Sequence, residues 1–158
     1  MSRKKIAIIG TIPPPIGGVS IHVQRLMEHM KVNEVEADFL DYKRMGLLSL
    51  VKQSLRYQIV HIHISNPKVR FFMISLLRLF NKKVIVTYHG DIGRFGAFSN
   101  YLDTLGIRYA HRPIVLNQKS LQYARVHNDH SVMISAFIAP LQEEQLSPEL
   151  AGRMEALR

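Results

Sequence analysis

The sequence contains no cysteine. That absence excludes a disulfide framework, a zinc–thiolate centre and a thiol nucleophile, and it fits a reducing compartment, with the cytoplasm as the expected location. Acidic residues are scarce as well, 12 against 21 lysines and arginines, so the net charge is +9 and anionic partners are favoured. The positive residues are scattered, with small clusters at Arg3-Lys4-Lys5 and Lys82-Lys83. No basic stripe marks a nucleic-acid track, and no nucleic acid is expected as a partner. Internal repeats and low-complexity tracts are missing too. The opening "MSRKKIAIIG" is basic and then apolar, but the apolar run is short, lacks a small-residue cleavage site and meets Thr11 and Pro13 at once. It reads as a first strand rather than a signal peptide.

What is present is a chain of 158 residues, 47% hydrophobic, long enough for one domain with a substantial core and too short for two ordinary ones. Strand-length apolar runs alternate with helical patterns in βαβα order. Ile6-Ala7-Ile8-Ile9, Ile59 to Ile64, Val84 to Thr87 and Ile114-Val115-Leu116 are near-continuous apolar runs of the kind found in parallel sheets covered on both faces. Ala37 to Leu40 and Val132 to Ile134 are weaker strands. Helices are predicted over Ser20 to Met30, Leu47 to Arg56, Lys68 to Phe80, Ser99 to Ala110 and Lys119 to Arg125. In the first, Val23, Leu26, Met27 and Met30 form a core stripe, while His22, Arg25 and His29 lie together on a wet face. The segment "KVRFFMISLLRLF" is apolar nearly all round but too short to span a bilayer. Packing between the sheet and a neighbouring element is expected for it; lying on a membrane surface is the alternative.

In an open parallel sheet, ligands collect beyond the carboxyl ends of the strands. The loop after the first strand, "GTIPPPIGGVSIHVQRL", places three prolines and a Gly-Gly pair before a helix. The prolines forbid ladder pairing and hold the loop extended; the glycines let the backbone approach something bulky. With Ser20 as the expected N-cap, the free amides and positive dipole end of the helix suit an anion, phosphate above all. The spacing fits neither the dinucleotide nor the P-loop fingerprint, and a merely structural turn is the competing reading. After the third strand, "IVHIHISN" puts His61 and His63 on one sheet face and ends in a Ser65-Asn66-Pro67 turn. An H-x-H pair can begin a metal site, but the acidic residues offer no matching further ligands, so no metal is expected. After the fourth strand, "VTYHGDIGRFGAF" sets His89 at the mouth of the sheet, beside Gly90, Asp91 and Arg94. An imidazole there can donate a hydrogen bond to a sugar hydroxyl or a phosphate, or merely cap the loop's own carbonyls.

Together these motifs resemble the N-terminal half of a GT-B fold glycosyltransferase of family 4. The resemblance is carried by Gly17-Gly18-Val19-Ser20-Ile21-His22-Val23, Val60-His61-Ile62-His63 and Thr87-Tyr88-His89-Gly90. It implies an α/β, Rossmann-like three-layer domain with a mainly parallel sheet over residues 1–145, one half of a GT-B fold. It also implies retaining transfer of a sugar from a nucleotide-sugar donor, with no other cofactor, to a glycan or lipid-linked acceptor. By that likeness Gly17 and Gly18 approach the donor's diphosphate, His89 contacts the transferred sugar as the catalytic residue, and the acceptor sits near His22, Asn66, Gly90, Asp91 and Arg94.

Members of that family continue into a C-terminal donor domain carrying an E-x7-E motif. Glu28 and Glu36 have that spacing, but they straddle a helix end and the following segment, and the match reads as coincidence. Residues 146–158, "LSPELAGRMEALR" after its first residue, begin a helix capped at Ser147 with Pro148 at its first position, expected to be a linker at a boundary. The chain alone is therefore expected to lack transferase activity. The basic surface and the apolar Lys68 to Phe80 segment leave room for peripheral contact with the inner membrane face. The alternative function is a non-catalytic Rossmann-like module that binds a phosphate-bearing ligand.

Overall fold

The structure is a computed structural model that describes residues 6–135 and 137–141. The expected linker helix from Ser147 and the Arg3-Lys4-Lys5 cluster lie outside the described residues. The elements alternate throughout: β1 (Ile6–Gly10), α1 (Gly18–Val32), β2 (Ala37–Asp41), α2 (Leu47–Ser54), β3 (Ile59–Ile62), α3 (Pro67–Leu79), β4 (Lys83–Tyr88), α4 (Ala97–Tyr109), β5 (Arg112–Val115), α5 (Gln118–His127) and β6 (Val132–Met133). The strands form one six-stranded sheet in the order β2-β1-β3-β4-β5-β6, and every neighbouring pair is parallel. This is a Rossmann-like parallel α/β fold. Chain direction across the sheet reverses between β1 and β3, and a crevice therefore opens at the carboxyl ends of those two strands.

Alternation of side chains along the strands sorts the residues into two faces. Ala7, Ile9, Val60, Ile62, Val84, Val86 and Tyr88 point to one side, where Leu50 of α2, Met73, Ile74 and Leu77 of α3, Ile107 of α4 and Leu121 of α5 bury them in a single cluster. Ile8, Gly10, His61, His63 and Thr87 point to the other side, under α1. There the fully buried Val23 packs close to the sheet, and Gly10 makes the approach possible. A Cβ at that position would stand 3.0 Å from Val23 Cγ2 and 3.4 Å from His63 Cβ. Glycine at the end of β1 thus sets how near α1 lies to the crevice.

The near-continuous apolar runs are borne out as inner strands, and the differences are local. Ser20 is not the cap of α1. The helix starts at Gly18 with Gly17 at the cap position, and the Ser20 hydroxyl donates to the carbonyls of Pro15 (2.9 Å) and Gly17 (3.0 Å). It ties the proline loop to the first turn instead. The third strand stops at Ile62 rather than Ile64, although the His63 amide still donates to the Ile9 carbonyl at 2.7 Å. The expected wet face of α1 is also partly covered. Arg25 Nη1 donates to the Ile138 carbonyl (3.0 Å), and His29 Nε2 lies 2.8 Å from the Ala139 carbonyl, so the segment after β6 crosses this helix.

In α3, Met73, Ile74 and Leu77 are buried and Phe71 stacks on Tyr109 of α4, which accounts for most of its apolar surface by packing. Phe72, Leu79 and Phe80 remain exposed. Among the described residues no helix is long and apolar enough to cross a membrane. The Lys82-Lys83 pair sits at the start of β4, at the opposite end of the sheet from the crevice.

Candidate functional site

Four imidazoles meet under the N-terminal half of α1. His61 and His63 leave β3 on the same face, as the two-residue spacing predicts, with ring centroids 4.1 Å apart. His89 follows β4 on that face, and His22 reaches down from α1. The His22 ring lies 4.8 Å from His89 and 5.4 Å from His63. His63 Nδ1 and His89 Nε2 are 2.8 Å apart and share a hydrogen bond, in which one ring donates and the other accepts. His61 Nε2 pairs with the Thr87 hydroxyl at 2.8 Å. These contacts leave His89 Nδ1 without a hydrogen bond among the described residues. His63 is only 1% exposed, and its Nε2 is buried with no partner, a situation that costs about 1–3 kcal/mol unless something fills it.

Burial is the main reason His61, His63 and His89 stay neutral. It holds His61 down at about 3 and His89 at about 4, and it pushes His63 well below the ordinary imidazole range. Neighbouring rings add to the effect, and for His89 the Arg70 and Arg94 guanidiniums do so too. At neutral pH these three rings therefore offer neutral donors and lone pairs, while the charge beside His89 is cationic.

The phosphate-ready corner adjoins this cluster. No side chain caps α1, and its first intrahelical bond runs from the Ile21 amide to the Gly17 carbonyl at 3.0 Å. The amides of Gly18, Val19 and Ser20 precede that bond and are the orphan donors of the helix. Gly17 and Gly18 are exposed, and among the described residues nothing covers them. Glycine caps without side-chain bonds also begin α2 and α4, and the corner at α1 differs from them in standing beside His22 and His89.

The remaining expected residues are placed unevenly. Asn66 is exposed and caps α3, its Oδ1 accepting from the amides of Lys68 (3.0 Å) and Val69 (3.3 Å), so a local role already occupies that oxygen. Asp91 accepts from Asn117 Nδ2 at 2.7 Å. Arg94 folds back over Gly90 and the Phe95 ring, its guanidinium 4.8 Å from the ring centroid. The loop that carries it is built: Gly93 adopts φ +91, Asn100 Oδ1 accepts from the Phe95 amide (3.0 Å), and Asn100 Nδ2 donates to the Phe95 carbonyl (2.6 Å). Sequence reading did not single out Asn100 or Asn117, because polar residues in helical patterns give no sign that they hold a loop.

Beneath His89 lies a buried ion pair that sequence reading also missed. Arg70 Nη2 bonds to Asp103 Oδ1, with side chains 4% and 3% exposed. Arg70 Nη1 donates to the Ile64 carbonyl at 2.6 Å, and its guanidinium sits 4.5 Å over the Tyr88 ring. The pair joins α3 and α4 to the ends of β3 and β4, and so fixes the segment on which His89 stands.

No family model matches the chain, and no curated protein matches it. What the crevice can do follows from its geometry: an uncapped helix start with Gly18 exposed, a neutral His89 imidazole whose Nδ1 has no hydrogen bond among the described residues, and the Arg94 guanidinium on a braced loop.

Proposed function

We propose that the chain forms the acceptor-side half of a retaining glycosyltransferase, which moves a sugar from a nucleotide-sugar donor to a glycan or lipid-linked acceptor. The observation that carries this reading is that α1, whose start has no side-chain cap, brings His22 in its second turn to within 4.8 Å of the His89 ring at the end of β4. The anomeric carbon exchanges its bond to a phosphate oxygen for one to an acceptor hydroxyl, and negative charge builds on the departing diphosphate. The amides of Gly17 and Gly18 stabilise that charge from fixed positions, without reorganising at the moment of reaction. His89, neutral and with Nδ1 available, hydrogen-bonds the transferred sugar. Asp91, Arg94 and His22 flank the side from which the acceptor enters, with Gly90 keeping the backbone low beneath Arg94 and Asn66 at the rim.

Transfer also needs residues that grip the nucleotide, which enzymes of the resembled family carry on a second domain. The chain by itself is thus expected to hold a nucleotide-sugar through its diphosphate and sugar alone, without turnover. Calorimetric titration with a panel of nucleotide-diphosphate sugars tests this. His89→Ala should weaken binding of the preferred donor about tenfold, the worth of one hydrogen bond to a polar ligand. Affinity that is unchanged in His89→Ala, or turnover of a radiolabelled donor by the isolated chain, would overturn the assignment. The same corner also suits the simpler reading, a module that holds a phosphate-bearing ligand, and donor-independent binding of phosphate alone would favour it.

A further inference from the structure

We propose that His22, His63 and His89 form a binding site for a divalent transition-metal ion of the zinc type. The search for further ligands around the H-x-H pair looks naturally to acidic residues, and none is arranged for it. The structure supplies imidazoles instead, from three separate elements. His63 comes from the end of β3, His89 from the end of β4 and His22 from the second turn of α1, with one candidate ligand nitrogen from each ring and all three within 4.8 Å of one another. His61, the other half of the H-x-H pair, is turned to Thr87 and stands outside the set.

A tetrahedral zinc–imidazole site has metal–nitrogen bonds near 2.0–2.1 Å, which places neighbouring nitrogens roughly 3.3 Å apart. The His63–His89 nitrogens, at 2.8 Å, would open by about half an ångström as the ion replaces their shared proton. His22 closes the remaining gap from a half-buried position on α1. Nitrogen-only ligation suits zinc, copper and nickel rather than magnesium or calcium, which take oxygen. Three protein ligands leave a fourth position, and Arg94 close by favours an anionic oxygen in it. This site shares His22 and His89 with the glycosyl-transfer reading, but it does not require that reading.

The test uses the 158-residue chain, stripped with a chelator and titrated with Zn2+ against a chromophoric competitor. One ion per chain should bind, and Co2+ should give the visible absorption of a four-coordinate site. His22→Ala should weaken binding by more than about tenfold and abolish the four-coordinate spectrum, since two imidazoles hold a metal poorly. His130→Ala, at an exposed histidine outside the cluster, should bind as the parent does. Circular dichroism confirms that each variant is folded. If the folded parent shows no saturable binding below about 0.1 mM free Zn2+, or if His22→Ala binds as tightly as the parent, the site does not exist. Either failure leaves the nucleotide-sugar titration unaffected, and the two readings fall separately.

Discussion

Lowering the pH from 7.5 to 5 is expected to destabilise the chain by about 4 kcal/mol or more, a large share of the stability of an ordinary domain. The effect comes from His61, His63 and His89. An imidazole in the unfolded chain titrates near 6.5, whereas burial holds these rings at about 3 for His61, about 4 for His89 and well down for His63. The unfolded state therefore takes up protons first as the pH falls. The stability is fully present above 6.5 and is lost as the pH drops toward the folded values. His61 and His89 each contribute about 2 kcal/mol by pH 5, since each pH unit below 6.5 is worth about 1.4 kcal/mol per proton taken up only by the unfolded state, and His63 acts in the same direction. Thermal melts followed by circular dichroism across this range check it. A melting temperature that is flat between pH 7.5 and 5 would mean that the cluster is solvated, and that α1 does not cover it.

Asp103→Ala is expected to cost about 3–5 kcal/mol in urea unfolding, several times what an exposed pair would lose. The reason is the guanidinium left behind. Arg70 is buried, bonded through Nη1 to the Ile64 carbonyl and held over Tyr88, and the loss of Asp103 removes the charge that compensates it. The double variant Arg70→Met/Asp103→Leu should recover most of the loss, because a well-packed apolar pair avoids desolvating two ions. The single and double variants together separate the burden of an unpaired charge from a general intolerance of change at α3 and α4. A loss below about 1 kcal/mol in Asp103→Ala would place the pair at the surface. The same substitution should also weaken nucleotide-sugar binding, since it loosens the segment leading into His89.

The fold was legible because its inner strands are buried on both faces and so carry nearly unbroken apolar runs. Ile6 to Ile9 and Val84 to Thr87 declared themselves in this way, and the register of α1 followed from Val23. The convergence of histidines was only half legible. A spacing of two put His61 and His63 on one face, but which of them joins His89, and that His22 reaches both, depends on how near α1 approaches over Gly10. Nothing in periodicity encodes that distance. Arg70 was hidden for a related reason: within an apolar helical pattern it resembles a solvated charge, and its partner is 33 residues away on another helix. Ser20 has the chemistry of a cap, but the Gly17-Gly18 pair before it lets the helix begin earlier, and its hydroxyl turns back to the proline loop. Local preference thus located the elements, and through-space packing decided the site.

The central claim is that the start of α1 and His89 face one crevice and receive a single oxyanion there. Two-dimensional NMR of the labelled chain, titrated with inorganic pyrophosphate, tests it most directly. The account predicts saturable shifts of the Gly17, Gly18 and Val19 amides together with the His89 ring, at one common affinity. Shifts confined to other basic positions such as Lys82 and Lys83, with the amides of α1 unmoved, would contradict it.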